Sequence, residues 1–264
     1  MRYIDTHCHF NFPVFTHCLE ASLLPVRRSQ VAAIVTPSTH ARDFSPLLEL
    51  SHRIPEVFPA LGLHPLWTAE HQDNDVKRLE QQLNESHQVI ALGEIGLDFY
   101  TPTLQALAAR QWQLLTAQLQ LAKQHALPVI LHSRKSHDPL AKLLREMSLP
   151  ATGVVHGFTG SYQQAKRFID LGFYLGVGGS ISYPRALKTR DAISRVPPEC
   201  LVLETDAPDM PLSGYQGEAN RPERVVQVCQ ILAELKKMPT ETLADLMWQN
   251  SLRLFPKLSA VLSE

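Results

Sequence analysis

The sequence has no CxxC pair, no marked excess of charge of either sign, and no apolar run long enough to cross a bilayer. Its four cysteines, Cys8, Cys18, Cys200 and Cys229, are too scattered for a zinc knot or a disulfide framework and read as reduced thiols. With 25 Lys and Arg against 26 Asp and Glu, no global basic field draws the chain to nucleic acid or to a membrane surface. Any contact with DNA must therefore be local. The amino terminus, MRYIDTHCHF, reaches Asp5 and His7 too soon for the apolar core of a signal peptide. A cytoplasmic location, no membrane association and no obligate protein partner are expected. Repeats, low-complexity tracts and Gly- or Pro-rich linkers are lacking too, so one domain over residues 1–264 is expected. Hydrophobic residues, at 44%, suffice for its core.

What the sequence does contain is a regular alternation of short apolar runs with longer amphipathic ones. The runs at 3–9, 31–38, 57–64, 89–96, 128–133, 153–158, 173–179 and 201–207 read as strands. Most lack polar alternation until their last residues, the pattern of parallel strands covered on both faces. Between them lie helical patterns, clearest at 104–126. There Ala108, Trp112, Leu115, Leu119 and Ala122 form one apolar stripe, with Gln111, Gln113, Gln118 and Gln120 mostly off it. Asp138 and Ser161 are candidate helix N-caps. Eight strand–helix units predict an α/β fold of the (β/α)8 TIM-barrel type. A doubly wound sheet fits less well, because no GxGxxG follows an early strand.

A barrel of this type carries its chemistry at the carboxyl ends of its strands. Six of the eight predicted ends bear a His or a carboxylate: His7 and His9, His64, Glu94, His132, His156 and Asp206. Singly, a His at a strand end is more often a hydrogen-bonded rim residue, and a lone carboxylate caps a helix or pairs with Arg. Jointly, they would crowd one mouth without partners unless a divalent metal supplied the missing one. The other histidines, 17, 40, 52, 71, 87, 125 and 137, read as surface residues of helices and loops. Within the first strand, alternation places Asp5, His7 and His9 on one face and Cys8 on the other. Asp5 then supports the ligands, and Cys8 packs outward as a small apolar residue.

In order and spacing, DTHCH (5–9), GLHP (62–65), GEIGLDFY (93–100), LPVILHSR (127–134), HGFTGS (156–161), GFYLGVGG (172–179), LVLETDAP (201–208), NRPERV (220–225) and NSLRLF (250–255) carry a family resemblance. From residue 3 to about 255 the chain resembles the TatD-type metal-dependent hydrolases, often described as deoxyribonucleases, among the amidohydrolase-like barrels. The resemblance implies a two-metal centre. His7, His9 and Asp206 would hold one ion, His132 and His156 the other, and Glu94 would bridge them. Where related barrels commonly bridge with a carboxylated Lys, the fourth run VIALGEIG contains no Lys. His64 lies at the same rim, at a position where the resemblance implies a contact to the ligands or to substrate rather than a metal bond. The chain departs from the family pattern at Gly157, where Cys is frequent, and at Asp209, where an aromatic residue is usual.

Imidazole and carboxylate donors favour Zn²⁺ or Mn²⁺, with Mg²⁺ possible. A metal-activated hydroxide is then the nucleophile, with Asp206 and Glu94 as the catalytic carboxylates and Asp206 handling the proton. Two divalent ions outweigh Glu94, Asp206 and the hydroxide, so the pocket is net positive and suits an anionic substrate. Arg134 and Lys135, Arg185, Arg221 and Arg224 follow the later strands, and Arg134, two residues beyond His132, is the preferred phosphate contact. Asp209 would either repel a phosphate or pair with Arg221. A phosphoester hydrolase acting on single-stranded or terminal DNA is the leading reading. Hydrolysis of a small ester, lactone or amide is the alternative, and a non-catalytic metal- or ligand-binding barrel the least favoured.

Overall fold

The computed structural model describes residues 1–262. Eight parallel strands run in chain order around a nearly closed barrel: β1 (Tyr3–Asp5), β2 (Val31–Pro37), β3 (Val57–Leu61), β4 (Ala91–Asp98), β5 (Val129–Arg134), β6 (Gly153–Val155), β7 (Tyr174–Val177) and β8 (Leu201–Leu203). Helices alternate with them, as the sequence predicts. The ends of β8 and β1 meet just beyond the strands. Thr6 N–H donates to Leu203 O at 3.0 Å, Asp206 N–H to His7 O at 2.8 Å and His9 N–H to Ala207 O at 2.8 Å. The segments that close the barrel are thus those that carry His7, His9 and Asp206.

Two apolar layers hold this frame. Residues such as Ile4, Val35, Ile130, Val154 and Val202 cluster with Trp248, Leu254 and Phe255 of the last helices. Alternation puts Ile130 on the face of His132 and Val154 on that of His156, so this cluster fills the barrel beneath the site. The other strand faces, with Leu61, Leu131, Val155 and Leu203, pack under the surrounding helices, and Cys8 joins them there.

Several strands are shorter than the apolar runs suggest. β1 stops at Asp5, β3 at Leu61, β6 at Val155 and β8 at Leu203, whereas β4 continues to Asp98. His7, His9, His64, His156 and Asp206 therefore stand on loops, and only Glu94 and His132 remain on strands. Strict alternation cannot account for Cys8. It is buried in the outer layer because its N–H donates to Val35 O at 3.0 Å and it bridges Ala207. Other local expectations divide. Ser161 caps the helix Tyr162–Ile169 reciprocally with Gln164. Asp138 caps nothing: it lies inside the first turn of His137–Met147 and pairs with Arg167. Gln111 and Gln118 are buried rather than solvated, and so are His40, His71 and His137.

The β4–β5 register slips by one residue between Leu92 and Ile95, an irregularity that contains Glu94 and turns it into the mouth. Past the slip, Gly96 faces His132 directly. Gly96 has φ +147°, and a Cβ there would lie 2.0 Å from His132 O. Gly96→Ala is therefore expected to destabilise by about 3 kcal/mol or more, combining backbone strain with an overlap that strand pairing cannot relieve. Gly157 is the control: its φ is +53°, but a Cβ would meet nothing nearer than 3.9 Å. Gly157→Ala is expected to cost about 1 kcal/mol. Denaturant midpoints for the two variants check the ordering, and equal shifts would contradict it.

Candidate metal centre

Glu94, 1% exposed, is the hub of the mouth. Its Oε2 lies 3.0 Å from His7 Nε2 and 3.5 Å from His9 Nε2. Its Oε1 lies 2.8 Å from His64 Nε2, 2.9 Å from His132 Nδ1 and 2.7 Å from His156 Nε2. Asp206 closes the first side, with Oδ1 at 3.3 Å from His7 Nε2 and 3.7 Å from His9 Nε2. Rings of His7 and His156 stack at 3.9 Å, which brings the two halves together. Every residue proposed from the sequence as a metal ligand is therefore in one cluster.

Two of the hydrogen-bonding deficits of this cluster, at His7 Nε2 and Glu94 Oε2, face the space the donors share and fit a metal. His7 Nδ1 and Nε2, His9 Nδ1, Glu94 Oε2 and His156 Nδ1 are buried without a hydrogen-bond partner. Each such atom costs roughly 1–3 kcal/mol if nothing satisfies it. Three overlapping donor groups stand close enough to share an ion: His7, His9 and Glu94; His7, His156 and Asp206; and His64, Glu94 and His132. All donors are nitrogen or oxygen, the set that suits Zn²⁺ or Mn²⁺.

For His132 and His64, hydrogen bonds to the far side of the ring decide which nitrogen is free. His132 Nε2 meets Asp98 Oδ2 at 3.0 Å, so Nε2 carries the proton and Nδ1 is left as the donor atom. For His64 the logic runs the other way. Its Nδ1 accepts from Leu66 N–H at 3.0 Å, so the proton is on Nε2, which donates to Glu94 Oε1. Proximity alone admits His64 to the third donor group, but its tautomer makes it a hydrogen-bond donor, not a ligand. Asp5 accepts from His7 N–H at 3.3 Å and from Thr205 N–H at 2.9 Å, tying the β1 and β8 loops together.

Electrostatics follow the same division. Against the burial that opposes ionisation, His156, His64 and His7 hold the Glu94 carboxyl well below its ordinary range. Burial likewise opposes Asp206, whose carboxyl His7 and His156 nevertheless hold down. Burial lowers His64 to about 4, consistent with a neutral ring. Burial also lowers His132, but Asp98 and Glu94 more than offset it and bring the ring to about 9, so an ion at Nδ1 would have to displace the proton facing Glu94. Glu204 is pushed up to about 8 by burial and accepts from Gly157 N–H.

Two acidic residues at the site escaped the sequence reading, Asp98 and Glu204. Both are visible in retrospect at two-residue spacing: Asp98 lies on the face of Glu94 and Gly96, and Glu204 precedes Asp206. Of the cationic candidates, Arg134 is exposed and its guanidinium sits 3.6 Å over the Tyr100 ring, with Lys135 Nζ 5.0 Å from the same ring. Arg221 pairs with Glu223 at 2.6 Å and not with Asp209, and buried Arg224 is engaged by Glu218 and by the Tyr215 ring. Arg185 lies over Tyr183 at 5.1 Å. Asp209 is raised by burial and by neighbouring Asp206.

A nearly closed parallel barrel with clustered His and carboxylate donors at its carboxyl mouth defines the class as a metal-dependent hydrolase barrel. The model of the TatD related DNase family matches residues 4–256, and the chain belongs to that family. It is 49% identical over 255 residues to the uncharacterized metal-dependent hydrolase YjjV of Escherichia coli (strain K12), covering 96% of this chain and 98% of that one. The crystal structure of that protein superposes with a TM-score of 0.94 over 97% of this chain and 98% of the other. Human deoxyribonuclease TATDN3 is 30% identical over 272 residues, covering 99% of this chain and 97% of its own. Among the described residues, no helix is long and apolar enough to cross a membrane.

Proposed function

We propose that the chain is a two-metal hydrolase of phosphoester bonds that acts on single-stranded or terminal DNA. The observation that carries this reading is the divided environment of Glu94, one oxygen facing His7 and His9 and the other facing His132 and His156. His7, His9 and Asp206 would hold one ion and His132 and His156 the other, with Glu94 shared. When bound, divalent ions supply Lewis-acid polarisation of a phosphoryl oxygen and lower the pKa of water to about 7.

The protein's own groups do the rest. The Asp206 carboxylate takes the proton of the attacking water and returns it to the leaving oxygen. His64 Nε2–H, committed to Glu94 Oε1, helps to hold that carboxylate between the two groups of rings. Arg134, held over Tyr100, and Lys135 beside it orient phosphate. The Tyr100 ring, 48% exposed, is a surface on which a base can stack. A balanced net charge of −1 favours a strand end over long duplex, whose affinity depends on many phosphate contacts. The likeness to a protein named a deoxyribonuclease supports the substrate class.

Metal-reconstituted protein is expected to shorten end-labelled oligonucleotides and to stop when a chelator is added. A phosphomonoester and a lactone panel run alongside should stay inert. Turnover confined to the lactones or to amides would overturn the phosphoester reading. Tight metal binding with no turnover of any kind would favour a binding barrel instead.

A further inference from the structure

We infer that Gln111 and Gln118, the buried glutamines of the helix Ala108–His125, are positioning residues that replace missing strand partners and thereby hold His132 and His64. The need for them arises from unequal strand lengths. β3 pairs with β4 only through Ala60↔Ala91 and Leu61↔Leu92, yet β4 runs on to Asp98. Beyond Leu92 the edge of β4 that faces β3 has no ladder. On its other edge β4 stays paired, with Asp98 opposite Arg134 and Phe99 N–H donating to Arg134 O at 2.9 Å. The N–H and C=O of Asp98 thus point toward the unladdered side.

Gln111 completes that side. Asp98 N–H donates to Gln111 Oε1 at 2.8 Å, and Gln111 Nε2 donates to Asp98 O and to Leu104 O, each at 2.9 Å. Gln118 does the same where β3 has ended. Leu63 N–H donates to its Oε1 at 2.7 Å, and its Nε2 donates to Leu63 O at 3.3 Å. Each side-chain amide pairs with one residue's N–H and C=O as a neighbouring strand would. Seven residues apart, the two glutamines share one helix face, which drifts only about 20° per heptad. Both are 1% exposed, so neither can exchange these bonds for water.

The residues they clamp bear on the site. The Asp98 carboxylate accepts from His132 Nε2–H, which orients that ring, and Leu63 precedes His64, the donor to Glu94. Leu at either position would remove the amide and strand a buried N–H and C=O. Glu at 111 would keep an acceptor for Asp98 N–H and lose the donor to Asp98 O and Leu104 O.

The test uses Gln111→Leu, Gln111→Glu and Gln118→Leu in the full chain, with exposed Gln120→Leu as control. The decisive readout is the imidazole Nε2–H signal of His132 and of His64 in ¹H–¹⁵N NMR, at a temperature where circular dichroism shows the variants folded. Gln111→Leu is expected to lose the His132 signal and keep that of His64, and Gln118→Leu the reverse. Should Gln111→Leu not fold, Gln111→Glu decides on the same criterion. Retention of the His132 signal in a folded 111 variant overturns the inference, as does loss of both signals in one variant, which denotes general loosening. A second readout rests on the proposed metal centre: Zn²⁺ affinity, by competition with a chelator, should fall about tenfold in Gln111→Leu. A wild-type protein that binds no Zn²⁺ would defeat the proposed function, while the NMR signals would still decide this one.

Discussion

Glu94→Gln is expected to empty the site and abolish turnover in the same protein. Among the described residues, Glu94 is the one carboxylate in contact with five imidazoles, at 2.7–3.5 Å. Glutamine has nearly the same shape but no charge, and it turns an amide NH₂ toward one of the two groups of rings. Loss of outer partners of a metal ligand already weakens metal binding by roughly 10–100-fold, so loss of the shared ligand should exceed about 100-fold. Metal content per chain, kcat/KM and metal-dependent stabilisation should fall together. A metal at 100 times its Kd stabilises a folded protein by about 2.7 kcal/mol, or roughly 5–10 °C in Tm at this chain length. That increment should be present in the wild type and missing from the variant. Unchanged metal content and unchanged activity would sink the site as drawn.

Asp206→Asn is expected to keep the fold and lose about 10²–10⁴-fold in kcat, the range typical of removing a general acid–base group. The substitution is chosen for its backbone. Asp206 sits at φ +57°, a conformation Asn tolerates well, and its N–H donates to His7 O at 2.8 Å regardless of the side chain. Ala at the same φ would add strain and confuse lost chemistry with lost structure. The assay belongs at saturating metal, so that a weakened ligand is not mistaken for a missing base. An Asn variant turning over at near wild-type rate would refute the proton-transfer role. If KM rises while kcat holds, Asp206 serves binding alone.

Much of this site was legible in the chain because strand ends are. A His or carboxylate that interrupts an apolar run marks the edge of a buried sheet, and His132 and Glu94 stand on their strands as read. For His7, His9, His156 and Asp206 the residue types were legible, but their support was not. His7, His9 and Asp206 project from loops fixed by backbone bonds between the β1 and β8 ends and by the Asp5–Thr205 link, contacts some 200 residues apart in sequence, and His156 is held by its N–H to Leu131 O on β5. Burial of His40, His71 and His137 was missed for a related reason. Their rings are covered by other segments, as His137 is by Phe158 and Phe168, and no local period signals that.

Composition, the recurrence of apolar runs and the residues at their ends determined an eight-stranded barrel with a cluster of nitrogen and oxygen donors at its mouth. Those features depend on local period and chemical type, which the order of residues carries directly. Tertiary structure alone decided which nitrogen of His132 faces the site, that His64 donates to Glu94, and that Arg221 and Arg224 are engaged elsewhere. It also decided that Gln111 and Gln118, off the apolar stripe of their helix, are buried against bare strand edges. A helix's period tells which residues share a face, but which face meets the end of a longer strand is set only when the barrel closes.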